Sequence, residues 1–375
     1  MIAGFRRTVL EFAQCWTSMN NDRMFPSNDA ISGKTILLTG AGGSIGSALA
    51  HALIAFEPLS LLLLDNSERG LFDLDMDLNA LRSGTEHVPI LGDIRDAELL
   101  LEIFEKHRPA VILHAAALKH VPLMEVNPIA AVQTNAFGTT ALAKAAATFQ
   151  VSKLVMVSTD KAVNPRSVMG ASKRVAELAL LRQTTERSCM TSIRLGNVLG
   201  SQGSVVPIFE RQIADGGPVT VTHPDASRYF LTIEDAVELI LAALGVEGKG
   251  KVLIPQLGQP MKIIDLAHKI IKESGFIPET EIPITLIGLR PGDKLSENFV
   301  NDYEFVEQTS DPRLFAVKSL EIVPYEFDLR IRELDESVNR RDIVRVVETL
   351  RKIVPEYEPS EMILRLLGDS ASIRK

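Results

Sequence analysis

The sequence predicts an α/β protein built on a doubly wound parallel sheet, and two observations lead to this prediction. First, six apolar runs of strand length alternate with helical segments between residues 34 and 195. Such runs indicate strands buried on both faces, joined by right-handed crossovers. Second, a glycine-rich turn follows the first run. The predicted strands are residues 34–39, 59–64, 88–91, 110–114, 154–157 and 191–194.

The glycine-rich turn joins the first strand to a helix that is predicted to extend through Ile54. Residues 39–46 read TGAGGSIG. Glycines let the backbone approach a pyrophosphate, and the helix N-terminus supplies N–H donors and a positive dipole. A structural turn without a ligand is the alternative, but the surrounding strand and helix favour a Rossmann-type dinucleotide site. The predicted cofactor contacts here are Gly40, Gly42, Gly43, Ser44, Ile45 and Gly46.

An acidic residue, Asp65, ends the second strand, 19 residues beyond Gly46. A carboxylate at this place can hydrogen-bond an adenosine ribose and repel a 2′-phosphate, so the sequence favours NAD over NADP. Arg69 complicates this choice, because it could bind such a phosphate or pair with Asp65 or Glu68. The other cofactor contacts are predicted after the second, third and fourth strands, at Asn66, Ser67, Asp93, Ile94, Ala115, Ala116 and Ala117.

The fifth strand ends on three polar residues, Thr159, Asp160 and Lys161. Burial can lower the pKa of a lysine until it acts as a base, and can raise that of an aspartate until it acts as an acid. A surface salt bridge is the alternative, but ligands bind at the carboxyl ends of strands in such a sheet. Met169 and Lys173 follow, spaced to share one face of a helix.

Composition restricts the partners. The formal net charge of −8 argues against nucleic acid, which selects basic surfaces. Two cysteines, Cys15 and Cys189, match no metal-binding spacing, so we expect no metal site and a reduced, cytoplasmic protein. No apolar run reaches the length of a membrane span, and no signal peptide is recognised. Residues 5–16 could form a short amphipathic helix.

Four regions are predicted along the chain. Residues 1–33 form an N-terminal extension and linker, and residues 34–195 form the NAD-binding domain. Residues 196–325 form a smaller substrate-binding region whose chain crosses back to the main sheet, because glycine and proline become frequent there. Residues 326–375 form a charged, helical C-terminal tail.

Seven motifs carry a family resemblance, which covers roughly residues 33–320. The chain resembles the extended short-chain dehydrogenases/reductases, and most closely their polysaccharide-biosynthesis branch, the UDP-N-acetylglucosamine 4,6-dehydratases. The strand-end element STDKAVNP is the more specific signal, since the glycine-rich turn is shared by the whole superfamily. The motifs, in chain order, are TGAGGSIG, LGDIRD, HAAALKHVPLMEVNP, STDKAVNP, MGASKR, RLGNVLGSQGSVVPIF and GLRPGDKL.

The resemblance implies a lyase that oxidises sugar C4, eliminates water across C5–C6 and reduces C6 on one bound nicotinamide cofactor. Lys161 would take the C5 proton and Asp160 would protonate the leaving hydroxyl. Met169 stands where this superfamily normally has its catalytic Tyr, as in the retaining enzymes of the branch, and it cannot accept a proton. Thr159 acting with Asp160 is our candidate for the C4-hydroxyl base, a water on Lys173 being the alternative. Lys173 would bind the nicotinamide ribose.

The resemblance also implies a nucleotide-sugar substrate, most simply UDP-N-acetylglucosamine, and a homo-oligomer. Guanidinium groups match phosphate geometry, so the two arginines of this set would clamp the diphosphate. Two rival functions remain: a nucleotide-sugar epimerase on the same fold, and a catalytically silent NAD-binding protein. The predicted substrate contacts are Lys119, His120, Glu125, Asn197, Arg228 and Arg290.

Overall fold

A nine-stranded sheet dominates the computed structural model, which describes residues 28–248, 250–256, 258–318 and 324–373. The sheet has the order β14-β15-β11-β6-β5-β4-β1-β2-β3; β14 and β15 are antiparallel to their neighbours, and the others run parallel. Its strands are β1 (Thr35–Thr39), β2 (Ser60–Asp65), β3 (Glu86–Leu91), β4 (Val111–His114), β5 (Lys153–Thr159), β6 (Cys189–Leu195), β11 (Val252–Pro255), β14 (Phe305–Gln308) and β15 (Leu314–Lys318).

The Rossmann-type fold class is confirmed, and so is each of the six predicted strands. Strands β5 and β6 extend further than predicted, because their ends carry polar residues that interrupt the apolar pattern. The strand order reverses between β1 and β4, which lie side by side although the chain leaves β1 towards β2. In such sheets ligands bind at this reversal, beyond the carboxyl ends of the strands.

The remaining strands of the described residues form three small two-stranded sheets. They come from the region after β6, where β7 pairs with β10, β9 with β12 and β8 with β13. Their bounds are β7 (Asn197–Val198), β8 (Val219–Val221), β9 (Ser227–Arg228), β10 (Phe230–Leu231), β12 (Met261–Lys262) and β13 (Ile284–Leu286).

Helices cover both faces of the main sheet. A π-helical stretch, Val132–Gly138, joins two of them, and a short 3₁₀ turn, Asp160–Ala162, follows β5. The α-helices are α1 (Ser44–Ile54), α2 (Glu68–Leu81), α3 (Ala97–His107), α4 (Val121–Val126), α5 (Pro128–Ala131), α6 (Thr139–Thr148), α7 (Val168–Gln183), α8 (Val205–Ala214), α9 (Ile233–Gly245), α10 (Ile263–Glu273), α11 (Pro324–Asn339), α12 (Ile343–Ile353) and α13 (Glu361–Ile373).

The strands are apolar throughout because each face of the sheet packs against its own set of helices. In β1, Ile36 and Leu38 pack towards α1, α2 and α9, whereas Leu37 packs towards α3 and α6 on the opposite face. Side chains alternate between the faces of a strand, so both faces need apolar residues. This packing explains why continuous apolar runs, rather than alternating ones, marked the strands.

The region predicted after residue 195 contributes elements to the main sheet as well as to the smaller sheets. Strands β11, β14 and β15 and helix α9 come from beyond residue 195 but belong to the main sheet and its core, as the predicted crossing back requires. The C-terminal part of the described chain contains helices α11, α12 and α13, and α12 packs with α7 in one apolar cluster. The short helix predicted at residues 5–16 and most of the linker lie outside the described residues.

A buried ionic network ties α7 to the sheet. Arg194 of β6 is fully buried; its guanidinium donates to Glu177 of α7 at 3.0 Å and to Glu304 at 2.8 Å. Arg174 also contacts Glu177, at 2.8 Å. These arginines hold the pKa of Glu177 at about 2, against the effect of its burial. Ser158, beside the polar end of β5, donates to Glu177 at 2.7 Å, so the network reaches the strand that carries Thr159.

None of the helices in the described ranges is both long enough and apolar enough to cross a lipid bilayer.

Removing Arg194 should destabilise the fold strongly. Arg194→Met leaves Glu177 and Glu304 buried with one cation fewer, and breaking a buried pair in this way costs about 3–5 kcal/mol. Arg182→Met is the matched control, because its pair with Asp328 is exposed and is expected to contribute less than about 1 kcal/mol. Guanidinium chloride unfolding measures both; equal losses in the two variants would contradict the assignment.

Candidate active site

The glycine-rich turn after β1 forms the floor of a crevice. Gly40 has φ +69°, and a Cβ there would lie 2.5 Å from the backbone nitrogen of Ala116. A Cβ on Gly42 would lie 2.8 Å from the backbone of Gly70. A side chain at either position would therefore collide with backbone that has little freedom to move. Helix α1 then begins at Ser44 without a side-chain cap, so its first N–H groups have no side-chain partner there.

The crevice, of about 560 Å³, lies at the reversal of strand order. Asp65 is fixed at its wall, because its two carboxylate oxygens accept from the backbone N–H groups of Gly42 and Ser67, each at 2.8 Å. Gln202 also lines the crevice, and its N–H donates to Ser44 Oγ at 3.0 Å. The predicted cofactor contacts among the lining residues are Gly40, Gly42, Gly43, Asp65, Asn66, Ser67, Arg69, Ile94, Ala115, Ala116 and Ala117.

Two predicted cofactor contacts form ion pairs within the protein. Asp93, expected to meet an adenine edge, pairs with Arg95 at 2.7 Å, and hydrogen bonds from Arg95 hold the pKa of Asp93 at about 2. Its neighbour Ile94 lines the crevice instead. Arg69 pairs with neither Asp65 nor Glu68; its side chain is 92% exposed and lies 3.8 Å from Asp73.

The crevice fits a dinucleotide. It joins a helix N-terminus, a glycine floor that a Cβ would fill and a carboxylate at the end of the next strand. The glycine floor and the N–H groups of α1 would hold the pyrophosphate, and Asp65 would hold the ribose. The Asp65 carboxylate is already fixed by hydrogen bonds from the backbone N–H groups of Gly42 and Ser67.

A polar network that the sequence analysis missed lies under this floor. His114 is buried, with Nδ1 2.6 Å from Thr39 Oγ1 and Nε2 2.9 Å from Thr139 Oγ1. The hydroxyl of Thr139 donates to the carbonyl of Asn135, so Nε2 of His114 must donate and Nδ1 must accept. Burial lowers the pKa of His114 to about 3, which keeps the ring neutral. Asn135 lies in the π-helical stretch, and the residue pattern does not predict a π-helix there.

The polar end of β5 forms a compact cluster. Thr159 Oγ1 donates to Asp160 Oδ1 at 2.9 Å, and Lys161 Nζ donates to the same oxygen at 2.9 Å. The other oxygen, Asp160 Oδ2, is buried and accepts no hydrogen bond within the described part of the chain. The sequence prediction that these three residues act together is consistent with this geometry. Asn197, predicted near a diphosphate, instead accepts from Lys161 Nζ at 3.1 Å.

The expectation of a lowered pKa for Lys161 is wrong. Burial by itself would lower this pKa, but the charges of Asp160 and Glu297 outweigh burial, and the pKa is raised. Glu297 Oε1 lies 3.6 Å from Lys161 Nζ. The sequence analysis did not single out Glu297, because it comes from a distant loop that only the fold brings to β5. Lys161 therefore carries its proton firmly in this arrangement.

Met169 and Lys173 share one face of α7, as their spacing predicts. Met169 is buried in the apolar cluster between α7 and the C-terminal helices. Lys173 Nζ donates to the carbonyl of Val157 at 2.7 Å, beside the end of β5. Burial lowers the pKa of Lys173 to about 8, with Glu177 opposing the shift. The charge of Lys173 also contributes to the lowered pKa of His114.

Two of the predicted substrate contacts face the chain that follows β7. Lys119 Nζ donates to Ser201 Oγ at 3.3 Å, and burial lowers the pKa of Lys119. The ring of His120 lies against Gly203, where an added Cβ would come within 2.4 Å of it. Burial, Lys119 and Arg290 lower the pKa of His120. This side of the site thus presents one amine and one imidazole beside a glycine-rich segment.

Three other predicted substrate contacts have structural partners. Glu125, expected to reach a sugar, accepts from Val168 N at 2.7 Å and from Ser360 Oγ at 2.5 Å, so it holds the start of α7. Arg228, expected to clamp a diphosphate, donates at 2.7–3.1 Å to the carbonyls of Ser227, Lys294 and Leu295.

Arg290, the other predicted clamp, pairs with Asp293 at 2.8 Å. It lines a separate cavity of about 950 Å³ beside α13.

Fold and crevice together define a Rossmann-type α/β protein whose crevice has a form that fits a dinucleotide. Residues 36–319 match the family described as polysaccharide biosynthesis protein, and the chain belongs to this family. The capsular polysaccharide biosynthesis protein CapD of Staphylococcus aureus is 40% identical over 319 residues, 84% of this chain and 53% of that protein. The chain thus spans about half the length of this relative.

Two further comparisons concern proteins of more similar length. The inverting UDP-N-acetylglucosamine 4,6-dehydratase of Campylobacter jejuni is 30% identical over 314 residues, 81% of this chain and 89% of that protein. The solved UDP-glucose 4-epimerase of Thermus thermophilus in complex with NAD superposes with a TM-score of 0.59 at 24% identity, covering 70% of this chain and 89% of the epimerase. The epimerase comparison shows the shared fold.

Gly40→Ala should prevent dinucleotide binding. The new Cβ would meet Ala116 backbone at 2.5 Å in a left-handed conformation, so the crevice floor must shift. Gly33→Ala is the matched control, because Gly33 has φ +65° but nothing within 4 Å of an added Cβ. We expect NAD binding, measured by calorimetry, to be lost in the first variant and kept in the second. Equal affinity of both variants for NAD would contradict this role for the turn.

Lys173→Met should stabilise the protein at neutral pH. Lys173 has a pKa of about 8 in the fold, below the ordinary lysine value, so the fold disfavours its charged form. The cost is fully present below pH 8 and vanishes as the pH rises through the ordinary lysine pKa. The variant should gain at most about 3 kcal/mol at pH 7, with no gain near pH 11. Urea unfolding at both pH values measures this; a pH-independent difference would contradict it.

Proposed function

We propose that this protein is a nucleotide-sugar 4,6-dehydratase that converts UDP-N-acetylglucosamine to its 4-keto-6-deoxy derivative for polysaccharide synthesis. The observation that carries the proposal is the cluster of Thr159, Asp160 and Lys161 at the end of β5, joined by hydrogen bonds of 2.9 Å. It provides an acid, a base and a relay, whereas Met169 offers no proton-transfer group at the position of the usual Tyr. Family membership and the Campylobacter dehydratase support the substrate class.

NAD is the proposed cofactor. Asp65 at the crevice wall and the NAD held by the Thermus epimerase of the same fold support this choice over NADP. When bound, the nicotinamide ring supplies a reversible oxidation, taking hydrogen and two electrons from sugar C4 and returning them at C6. Lys173, whose amine donates to the carbonyl of Val157 near the end of β5, would hold the nicotinamide ribose.

The C4 hydroxyl proton has a route into the cluster. Thr159 Oγ1 can accept this proton while it passes its own to Asp160 Oδ1, 2.9 Å away. Asp160 is then neutral, and Lys161 has lost one of its two anionic neighbours. The pKa of Lys161 falls as a result, and its side chain, 21% exposed, can release a proton to solvent.

The same two residues then perform the elimination. The neutral amine of Lys161 takes the C5 proton, and protonated Asp160 gives its proton to the C6 hydroxyl, which leaves as water. Lys161 returns its proton to C5 as C6 is reduced, and then regains one from solvent. The C4 hydroxyl proton leaves in the water, the C5 proton returns to C5, and Lys161 regains from solvent the proton that it released, so the starting ion pair is restored.

Product mass tests the function. With UDP-N-acetylglucosamine and NAD, the product should be lighter by one water, and NMR should show the substrate configuration retained at C5. Lys161→Met should lower turnover by about 10²-fold or more while NAD stays bound. Lys318→Met is the control, since Lys318 pairs with Glu307 on an edge strand and should be fully active.

An epimerase would instead give a product of unchanged mass, and a silent binding protein would give none. Unchanged mass across several nucleotide sugars would overturn the dehydratase proposal.

A further inference from the structure

Glu297 is a buried carboxylate of the active site with no role in the steps above. It lies in the segment between β13 and β14 and is 4% exposed. Its Oε1 lies 3.6 Å from Lys161 Nζ and 3.9 Å from Arg228 Nε, and its Oε2 lies 3.0 Å from Lys294 Nζ. A carboxylate enclosed in this way by three cations stays charged, and its pKa is lowered by Lys161, Lys294 and Arg228 in spite of burial.

Two of the three cations are anchored by backbone atoms. Arg228 donates to three backbone carbonyls, and Lys294 Nζ donates to the carbonyl of Val163 at 2.6 Å. Because Arg228 and Lys294 are fixed to the backbone, they also hold the carboxylate of Glu297 in place. The third cation is Lys161, the proposed base at the end of β5, and Glu297 Oε1 faces its amine.

Charged and polar groups from four parts of the chain surround Lys161. Asp160 on its own turn and Glu297 are anionic; Arg228 of β9 and Lys294 are cationic; Asn197 of β7 offers a neutral amide oxygen at 3.1 Å. In the proposed reaction Asp160 becomes protonated while Glu297 does not. Before that step Glu297 and Asp160 together oppose loss of the Lys161 proton, and after it Glu297 is the remaining anionic neighbour of the Lys161 ammonium.

We propose that Glu297 is a positioning residue that keeps Lys161 beside Asp160 and protonated until Asp160 has been neutralised. The catalytic part of this statement rests on the proposed function. The electrostatic part does not, because it concerns only the ion pairs among Glu297, Lys161 and Lys294. The two parts can therefore be tested separately.

The electrostatic part is tested without substrate. Competitive labelling with acetic anhydride, followed by peptide mass spectrometry, gives the pH at which Lys161 becomes reactive. Glu297→Gln should lower this midpoint by about one pH unit or more, and Glu297→Asp should restore part of the shift. Lys294→Gln should raise the midpoint, because it frees Glu297 to attract Lys161 more strongly. Glu304→Gln, which removes a buried carboxylate paired with Arg194 instead, should leave it unchanged.

The catalytic part is tested by the pH dependence of kcat. Its Lys161-dependent limb should move to lower pH in Glu297→Gln by the same interval as the labelling midpoint, with KM changed less than twofold and with partial recovery in Glu297→Asp. A midpoint that does not move in folded Glu297→Gln, or that moves equally in Glu304→Gln, overturns the proposal. If the labelling midpoint moves but no nucleotide sugar is converted, the proposed function fails while the coupling between Glu297 and Lys161 stands.

Discussion

Arg194 lies in β6 with its guanidinium enclosed, and Glu177 of α7 and Glu304 balance its charge there. A buried charge without partners would be too costly to keep, so these elements must stay together. Ser158 extends the network to β5, one residue before Thr159. Lys173 lies one turn of α7 before Glu177. The network therefore sets the distance between the helix that carries Lys173 and the strand that carries the proposed acid and base.

Positive charge is concentrated locally in this acidic protein. The chain carries a formal net charge of −8, yet Lys161, Lys294 and Arg228 converge on one end of the sheet. Asp160 and Glu297 compensate these cations and are themselves buried. When one buried carboxylate of such a site gains a proton, the pKa values of its charged neighbours change greatly. The reason is that the low-dielectric interior screens the interactions between charges only weakly.

Residue patterns were sufficient where the structure depends on neighbours in sequence. The six strands, the turn at Gly40, the acid at Asp65 and the polar end of β5 were all predicted, because each follows from local periodicity or spacing. Other predicted site residues have partners within the protein that the sequence pattern does not reveal. Glu125 holds the start of α7, Arg228 holds backbone carbonyls and Asp93 pairs with Arg95. An isolated charged residue gives no sign of whether its partner will be protein or ligand.

The sequence by itself determined the doubly wound sheet and the glycine-rich dinucleotide turn, and it identified Asp160 and Lys161 as neighbours. Short, contiguous residue patterns indicate which strands are buried and where glycines let the backbone come close to a pyrophosphate. Only the tertiary structure decided that Lys161 holds its proton, that Glu297 stands opposite it and that His114 is neutral under the crevice floor. The reason is physical: a pKa depends on burial and on charges a few ångströms away, and folding brings those charges from remote parts of the chain.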